Sequence, residues 1–472
     1  MARAGQQVLR DDGRLEDRIS VGVLARAFPR EAVEQVIDAA GAREQRNRML
    51  PAWLTVYFVL ALALFMDMGA GRVMRRLAGT LARAVQGITV TIPSEEALSN
   101  ARARLGAEPL RLLFEKTAGL LAPAGTPGAF WRGLHLVSLD GTTVDLQDTE
   151  ANWGHFGGPS TRDASGARLR GAFPQARLLA LAECGTRALV AAVTGSYATG
   201  EKTLTAGLLP RLRPGMLVLA GRNFAGYELW RDTAATGAQL LWRIGVSFSL
   251  PVRHVLADGT YLSVLKAPRA LRKAGAADIT VRVIEYRLED DAGQVTETFT
   301  LITTLLDLAQ APARELAELY RARWEIETAL GAFKSGMKGA GVVLRSKTPD
   351  GATQEIWALL CAYHAIREMI CAAAALAALD PLRICLVSAL DTVPGPAGDP
   401  AGFPPNHIGQ LVRASLAVIG SVTSPAPRGR SNPRHAKRST SYPARPADPG
   451  KRAKPRRPLT LVMLLMPCQD DP

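Results

Sequence analysis

The chain has 472 residues, of which 47% are hydrophobic and 21% charged; it is long enough for several cored domains, and its composition excludes a disordered or fibrous protein. Five widely spaced cysteines (Cys184, Cys361, Cys371, Cys385, Cys468), with no CxxC and no HExxH, exclude a disulfide framework and an obvious zinc site. The net charge of +14 is concentrated, because Ser424 to Pro458 holds eleven Lys/Arg against one acid, Asp448.

Residues 15 to about 122 are expected to be helical. Pro29 and Gly41 frame one helix, and another starts near Leu54. The longest apolar run, Trp53 to Met66, has fourteen residues before Asp67, short of the about 18–20 that cross a bilayer, so it reads as a buried core helix. GRVMRRLAGTLARAV, 71 to 85, forms a third helix. Ser94 then caps EEALSNARARL, which stops at Gly106, and Pro109 opens another. Such a pair resembles a helix-turn-helix in outline, with Arg102 and Arg104 facing DNA; an ordinary helical pair is the commoner arrangement.

From Leu134 the pattern changes to strands. LHLVSLDGTTVDL alternates, and ARLLALAECGTRALVAAVTG reads as two strands around a turn at Gly185. A helix follows from about Lys202, then the strand-loop-helix LVLAGRNFAGYELW, 217 to 230. Residues 239 to 305 read as strand throughout, with hairpin turns at Asp258-Gly259 and Asp291-Ala-Gly293. Helix returns at about Ala313 and again from Gln354 to Leu379, and after Pro394 the chain becomes Pro/Gly-rich. The expected division is a helical region 1–125, an α/β core of 126–238 and 306–392, a β-rich insertion 239–305 and a basic C-terminal region 393–472.

YRARWEIETALGAFKS, 320 to 335, carries the most chemistry. As one α-helix turning about 100° per residue, it would place Tyr320, Arg323, Glu327 and Lys334 within about 60° of arc. An Arg323/Glu327 surface pair is one reading, worth roughly 0.2–0.5 kcal/mol. The other is a carboxylate held ionised by two cations, able to bind a divalent ion while the cations grip phosphate.

Tyr-x2-Arg-x3-Glu-x6-Lys, met here as Tyr320, Arg323, Glu327 and Lys334, resembles the signature of bacterial insertion-sequence transposases of the insertion-sequence-4 family. SLDGTTVDLQDT resembles the family's first-aspartate segment, with Asp140 at the end of the first core strand. LVLAGRNFAGYELW resembles the second, usually Asp-Arg-x-Phe. The resemblance covers nearly the whole chain. It implies a ribonuclease-H-like core with a β-rich insertion and an N-terminal helical domain, and a DDE triad holding Mg²⁺ (or Mn²⁺). It further implies binding to double-stranded DNA at element ends and target, by a homodimer on paired ends.

Gly221 stands where the family's second aspartate would be, although Arg222 and Phe224 of the pattern remain. Two ions held a few Å apart need three carboxylates, and Asp140 and Glu327 supply two. Asn223 offers only a neutral oxygen aimed differently, and Asp145 fits no obvious gap. The resemblance therefore implies Asp140 and Glu327 as catalytic and metal residues, Tyr320, Arg323, Lys334 and Arg222 as signature or phosphate-contacting residues, and impaired strand cleavage.

Arg428, Arg430, Arg434, Lys437 and Arg438 in the basic stretch are candidate DNA contacts, since each cation on a phosphate releases counterions; a solvated tail is the alternative. GSYATGEKT, 195 to 203, is not a phosphate-binding loop, because Glu201 intervenes before the lysine. Trp242, Trp324 and Tyr261 are read as core or as stacking platforms for an unpaired base, and His135 as core. The competing function classes are an active transposase and a DNA-binding relic or regulator of the same element. Lacking the apolar core of a signal peptide in MARAGQQVLRDDGR, the chain is expected to be cytoplasmic with no membrane partner, and the resemblance implies nucleoid association.

Overall fold

The computed structural model describes residues 24–467 except 25, 47–49, 85–91, 164, 167, 246–247, 291–292, 340, 387–388, 390–407, 422 and 424–458. The described residues fall into two compact units. The first lies within Met1–Ala129, Gly141–Thr199 and Glu325–Ala426, and the second within Phe130–Asp140, Gly200–Trp324 and Pro427–Pro472. These bounds cut across the division expected at 125, 239 and 306.

In the first unit, helices Arg30–Ala39, Ala52–Leu64, Ala70–Ala84, Glu95–Leu105 and Glu108–Thr117 share one core with the 28-residue helix Pro349–Leu376. The expected stops operate: Ser94 Oγ accepts the Ala97 N–H at 3.2 Å, and Gly106 takes φ +70° past the helix end. The apolar run after Trp53 is the buried helix Ala52–Leu64, as expected. Helix Pro349–Leu376 is long and apolar enough to cross a membrane by composition, yet 72% of its most apolar window is buried in this core. The helical N-terminal stretch is thus not walled off from the rest of the unit. Its apolar faces need this long helix to cover them.

Strand β1, Leu134–Asp145, runs through both units. Its last part lies in the first unit beside β2, Gln175–Glu183, where Leu146 donates to the Pro174 carbonyl at 2.9 Å and Gln175 Nε2 to Asp145 Oδ1 at 2.7 Å. β2 pairs antiparallel with β3, Leu189–Ser196. The turn between them falls at Gly185, as expected. Arg187, not Gly185, takes the left-handed backbone at φ +58°, whereas a Cβ on Gly185 would come within 2.6 Å of Ala129. Glycine is needed there for close approach rather than for φ.

In the second unit, the first part of β1 pairs parallel with β4, Met216–Ala220, in a register from His135↔Met216 to Leu139↔Ala220. β4 pairs parallel with β5, Gln239–Ile244, from Leu217↔Gln239 to Ala220↔Trp242. All of β4 is buried, which is why it reads as an unbroken apolar run. Glu201 begins a short helix, Glu201–Thr205, as expected.

The β-rich insertion contains β6, Tyr261–Leu265, β7, Ile279–Glu289, and β8, Val295–Thr303. The second unit's strand order is β1-β4-β5-β8-β7-β6, so the insertion extends the sheet antiparallel from β5. The segment LTLVMLLM supplies β9, Thr460–Met463, which also pairs with β7. The insertion is not strand throughout, because Arg269–Lys273 is helical behind Pro268. The mixed α/β fold with one large sheet is the class the sequence leads one to expect.

Candidate active site

In the second unit the site is built where the parallel pairing of β1 with β4 stops. The buried run Leu136–Leu139 carries β1 into its register with β4, and Asp140 is the next residue, half-buried. Asp140 is not at the strand's end, as expected, but inside it, because β1 continues to Asp145 after its parallel pairing with β4 stops. Gly221 follows Ala220 in the same way and is also half-buried. Its φ lies outside the left-handed range, so a side chain meets no backbone strain there. A Cβ added at Gly221 would sit 3.6 Å from Arg323 Nη1 and 3.9 Å from Arg323 Cζ, ordinary contact distances.

The loop after β4 keeps the pattern expected of it. Phe224 is 1% exposed and its N–H donates to the Gly221 carbonyl at 3.1 Å, anchoring the turn, while Arg222 and Asn223 are exposed. Helix Tyr227–Ala234 then packs Trp230 edge-on against Trp242, with ring centroids 5.2 Å apart. Lys202 Nζ donates to the Ala225 carbonyl and fastens the same loop. The sequence reading did not single Lys202 out for this role; its only signal was its place beside Glu201.

The segment 313–337 is not one α-helix. Ala313–Leu319 is α-helical, Tyr320–Arg323 is a 3-10 turn, Trp324–Gly331 is α-helical again, and Ala332–Met337 is a π-helix. A constant 100° per residue therefore fails here. In the 3-10 turn, side chains three apart eclipse, and this puts Tyr320 and Arg323 on one side. Tyr320, 2% exposed, donates its hydroxyl to the Ala220 carbonyl at 3.1 Å. Arg323 Nη1 reaches Asp140 Oδ2 at 3.4 Å, with the two side chains 12% and 23% exposed. Arg323 Cζ also stands 4.7 Å from the centroid of the Trp324 ring.

Glu327 and Lys334 belong to the first unit, and both are half-buried. Ile326, Ala329, Leu330 and Phe333 are buried around them and hold the segment in the core. Two further residues position it. Arg187 Nε donates to Glu325 Oε2 at 2.5 Å, and Tyr363 Oη donates to the Arg187 carbonyl at 2.8 Å. Glu325 was visible in the sequence beside Glu327, but no local signal marked Arg187.

Several candidates turn inward. Arg102, expected to face DNA, bonds Gln354 Oε1 at 3.0 Å, Ser346 Oγ at 2.9 Å and Glu355 Oε1 at 3.1 Å. The reason is the neighbouring helix Pro349–Leu376, whose buried Glu355 requires a counter-charge. Arg104 is exposed. Trp242 is fully buried, and Tyr261 is 6% exposed with its phenol pushed up to about 12 by burial, so both are core; Trp324 is half-buried. His135 packs against Phe130 with ring centroids 4.3 Å apart. Arg428, Arg430, Arg434, Lys437 and Arg438 lie outside the described residues.

Among the described residues, no group of three or more His, Cys, Asp or Glu is placed to hold a metal ion. Where the parallel pairing of β1 with β4 stops, Asp140 has a guanidinium 3.4 Å from its carboxylate, and the neighbouring position, Gly221, has no side chain. That is a poor match for a hard divalent cation, which favours clustered oxygen ligands.

The family described as "Insertion element 4 transposase N-terminal" matches residues 18–115, and the family described as "Transposase DDE domain" matches residues 131–364. The chain is 28% identical over 430 residues to "Transposase InsG for insertion sequence element IS4" from Escherichia coli strain K12, covering 88% of this chain and 92% of that protein. A solved structure, "Cryo-EM structure of piggyBac transposase synaptic complex with hairpin DNA (SNHP)", aligns over 85% of this chain and 80% of its own at a TM-score of 0.38 and 8% identity, too distant to bear on the fold. The two family matches follow one another along the chain in the order of its helical region and its strand-bearing core, and the chain belongs to the DDE transposases of the insertion-sequence-4 family.

Proposed function

We propose that this transposase retains its family's fold and DNA engagement but cleaves and joins DNA poorly, because Gly221 takes the place of the second carboxylate of the triad. The observation that carries this reading is the register of β1 and β4. Asp140 and Gly221 each follow the last parallel pair, Leu139↔Ala220, so the two positions are neighbours and one lacks a side chain. Asp140 and Glu327 are the remaining carboxylates in this reading, and Mg²⁺ or Mn²⁺ is the proposed ion, held only once substrate phosphates complete its oxygen ligands.

The proposed partner is double-stranded DNA carrying the element's terminal inverted repeats, together with target DNA, bound by a homodimer on paired ends. Arg222, exposed in the loop after β4, and Lys334 are the cations proposed to contact phosphate, with Tyr320 and Arg323 setting the turn between them in sequence. Arg104 and the basic stretch containing Arg428, Arg430, Arg434, Lys437 and Arg438 supply sequence-independent affinity. Binding through such cations weakens steeply with salt.

The test is metal-dependent cleavage of DNA bearing the terminal inverted repeats, comparing the chain with its Gly221→Asp variant. Cleavage rising by orders of magnitude in the variant is the expected result. Equal turnover in the two would sink the proposal. Salt-sensitive binding without cleavage by either would favour the alternative, a DNA-binding relic or regulator of the element.

A further inference from the structure

We infer that Arg323 serves Asp140 as a built-in counter-cation, seated beside the vacated Gly221 position, and that it keeps Asp140 from taking up a divalent cation. The inference rests on the reading of Gly221 as the second-aspartate position. Four observations carry it. The guanidinium reaches the Asp140 carboxylate at 3.4 Å, with Arg323 only 12% exposed, so water screens the pair weakly. A Cβ at Gly221 would lie 3.6 Å from the same nitrogen, so the guanidinium borders the space a carboxylate at that position would enter. The turn bearing Arg323 is tied down by the Tyr320 hydroxyl on the Ala220 carbonyl. The planar group also stands over the Trp324 ring, a contact that suits guanidinium and further limits its freedom.

Charge then decides the affinity. The guanidinium offsets the charge of the carboxylate it reaches, so a divalent cation approaching Asp140 is attracted less and must displace a charge-assisted hydrogen bond. A second carboxylate at Gly221 would make the group more negative and give the guanidinium an alternative partner. Removing the guanidinium charge would have the same sign of effect by another route.

The experiment titrates Mn²⁺ into the full chain without DNA and follows the free-ion paramagnetic signal. The parent chain and Asp140→Asn should bind Mn²⁺ alike. Arg323→Gln should gain a site at least tenfold tighter, lost again when Asp140→Asn is added, whereas Arg323→Lys, which keeps the charge, should gain none. Gly221→Asp leaves Arg323 in place and has room for its side chain, so it tests the same idea if Arg323→Gln does not fold. It too should gain at least tenfold.

If Asp140→Asn weakens Mn²⁺ binding by the parent, or if folded Arg323→Gln binds no better than the parent, the inference is overturned whatever the cleavage assay shows. Robust cleavage by the parent would instead remove the proposed function, and the Mn²⁺ comparison of Arg323→Gln with the parent would still decide the role of Arg323.

Discussion

The hydroxyl of Tyr320 donates to the main-chain carbonyl of Ala220, 3.1 Å away, and so ties a 3-10 turn to the residue immediately before Gly221. Ala220 ends β4 and is fully buried, so this bond is made away from bulk water.

Tyr320→Phe removes the donor and keeps the ring. An acceptor left without its bond in a buried place costs about 1–3 kcal/mol. Equilibrium denaturation should show a loss of this size. In a Gly221→Asp background the same change should lower DNA cleavage, because the turn carrying Arg323 loses its tether; an unchanged midpoint and rate would mean the bond contributes nothing.

Arg102 and Arg104 share a helix and should differ sharply. Arg102→Ala withdraws a partner from Glu355, whose side chain is 6% exposed, and should destabilise the chain by about 3 kcal/mol. Arg104 is exposed, so Arg104→Ala should leave stability nearly unchanged and, if the residue touches phosphate, reduce the salt dependence of DNA binding by about one charge. Thermal melts and binding isotherms at several salt concentrations separate the two.

Arg187 holds a left-handed backbone at φ +58° while pairing with Glu325. Both Arg187→Ala and Arg187→Gly lose the pair, but only alanine keeps the steric cost of that backbone. Alanine should therefore be the less stable variant by about 1 kcal/mol. Equal stabilities would show that this backbone relaxes when the side chain is removed.

His364 is pushed down to about 4 from 6.5 by burial, with the Leu189 carbonyl 3.3 Å from its Nδ1 opposing the shift. Below pH 6.5 the unfolded chain takes up a proton that the folded chain refuses until about pH 4. The contribution is thus complete above 6.5 and lost as pH falls toward 4, approaching about 3 kcal/mol at ~1.4 kcal/mol per unit. His364→Phe should flatten this part of the stability profile between pH 7 and 5. Parallel profiles for the two proteins would refute the assignment.

The elements that local chemistry dictates were legible without a structure. Ser94, Gly106 and Pro109 set helix limits through caps and a fixed φ, and the unbroken apolar run of β4 announced a strand buried on both faces. The family signature and the missing carboxylate at Gly221 were equally plain, since both are matters of residue identity and spacing. Three things needed the folded chain. A uniform 100° per residue does not hold over 320–335, where 3-10 and π turns interrupt the α-helix without a Gly or Pro signal at Tyr320–Arg323 to announce them. Arg102 looked like a surface cation because its partner Glu355 is far away in sequence, and only folding brings opposite charges together in a place where water cannot serve instead. Arg323 likewise acquires its meaning from a strand more than a hundred residues earlier: residue identity says which charges exist, and tertiary packing determines which of them neutralise one another.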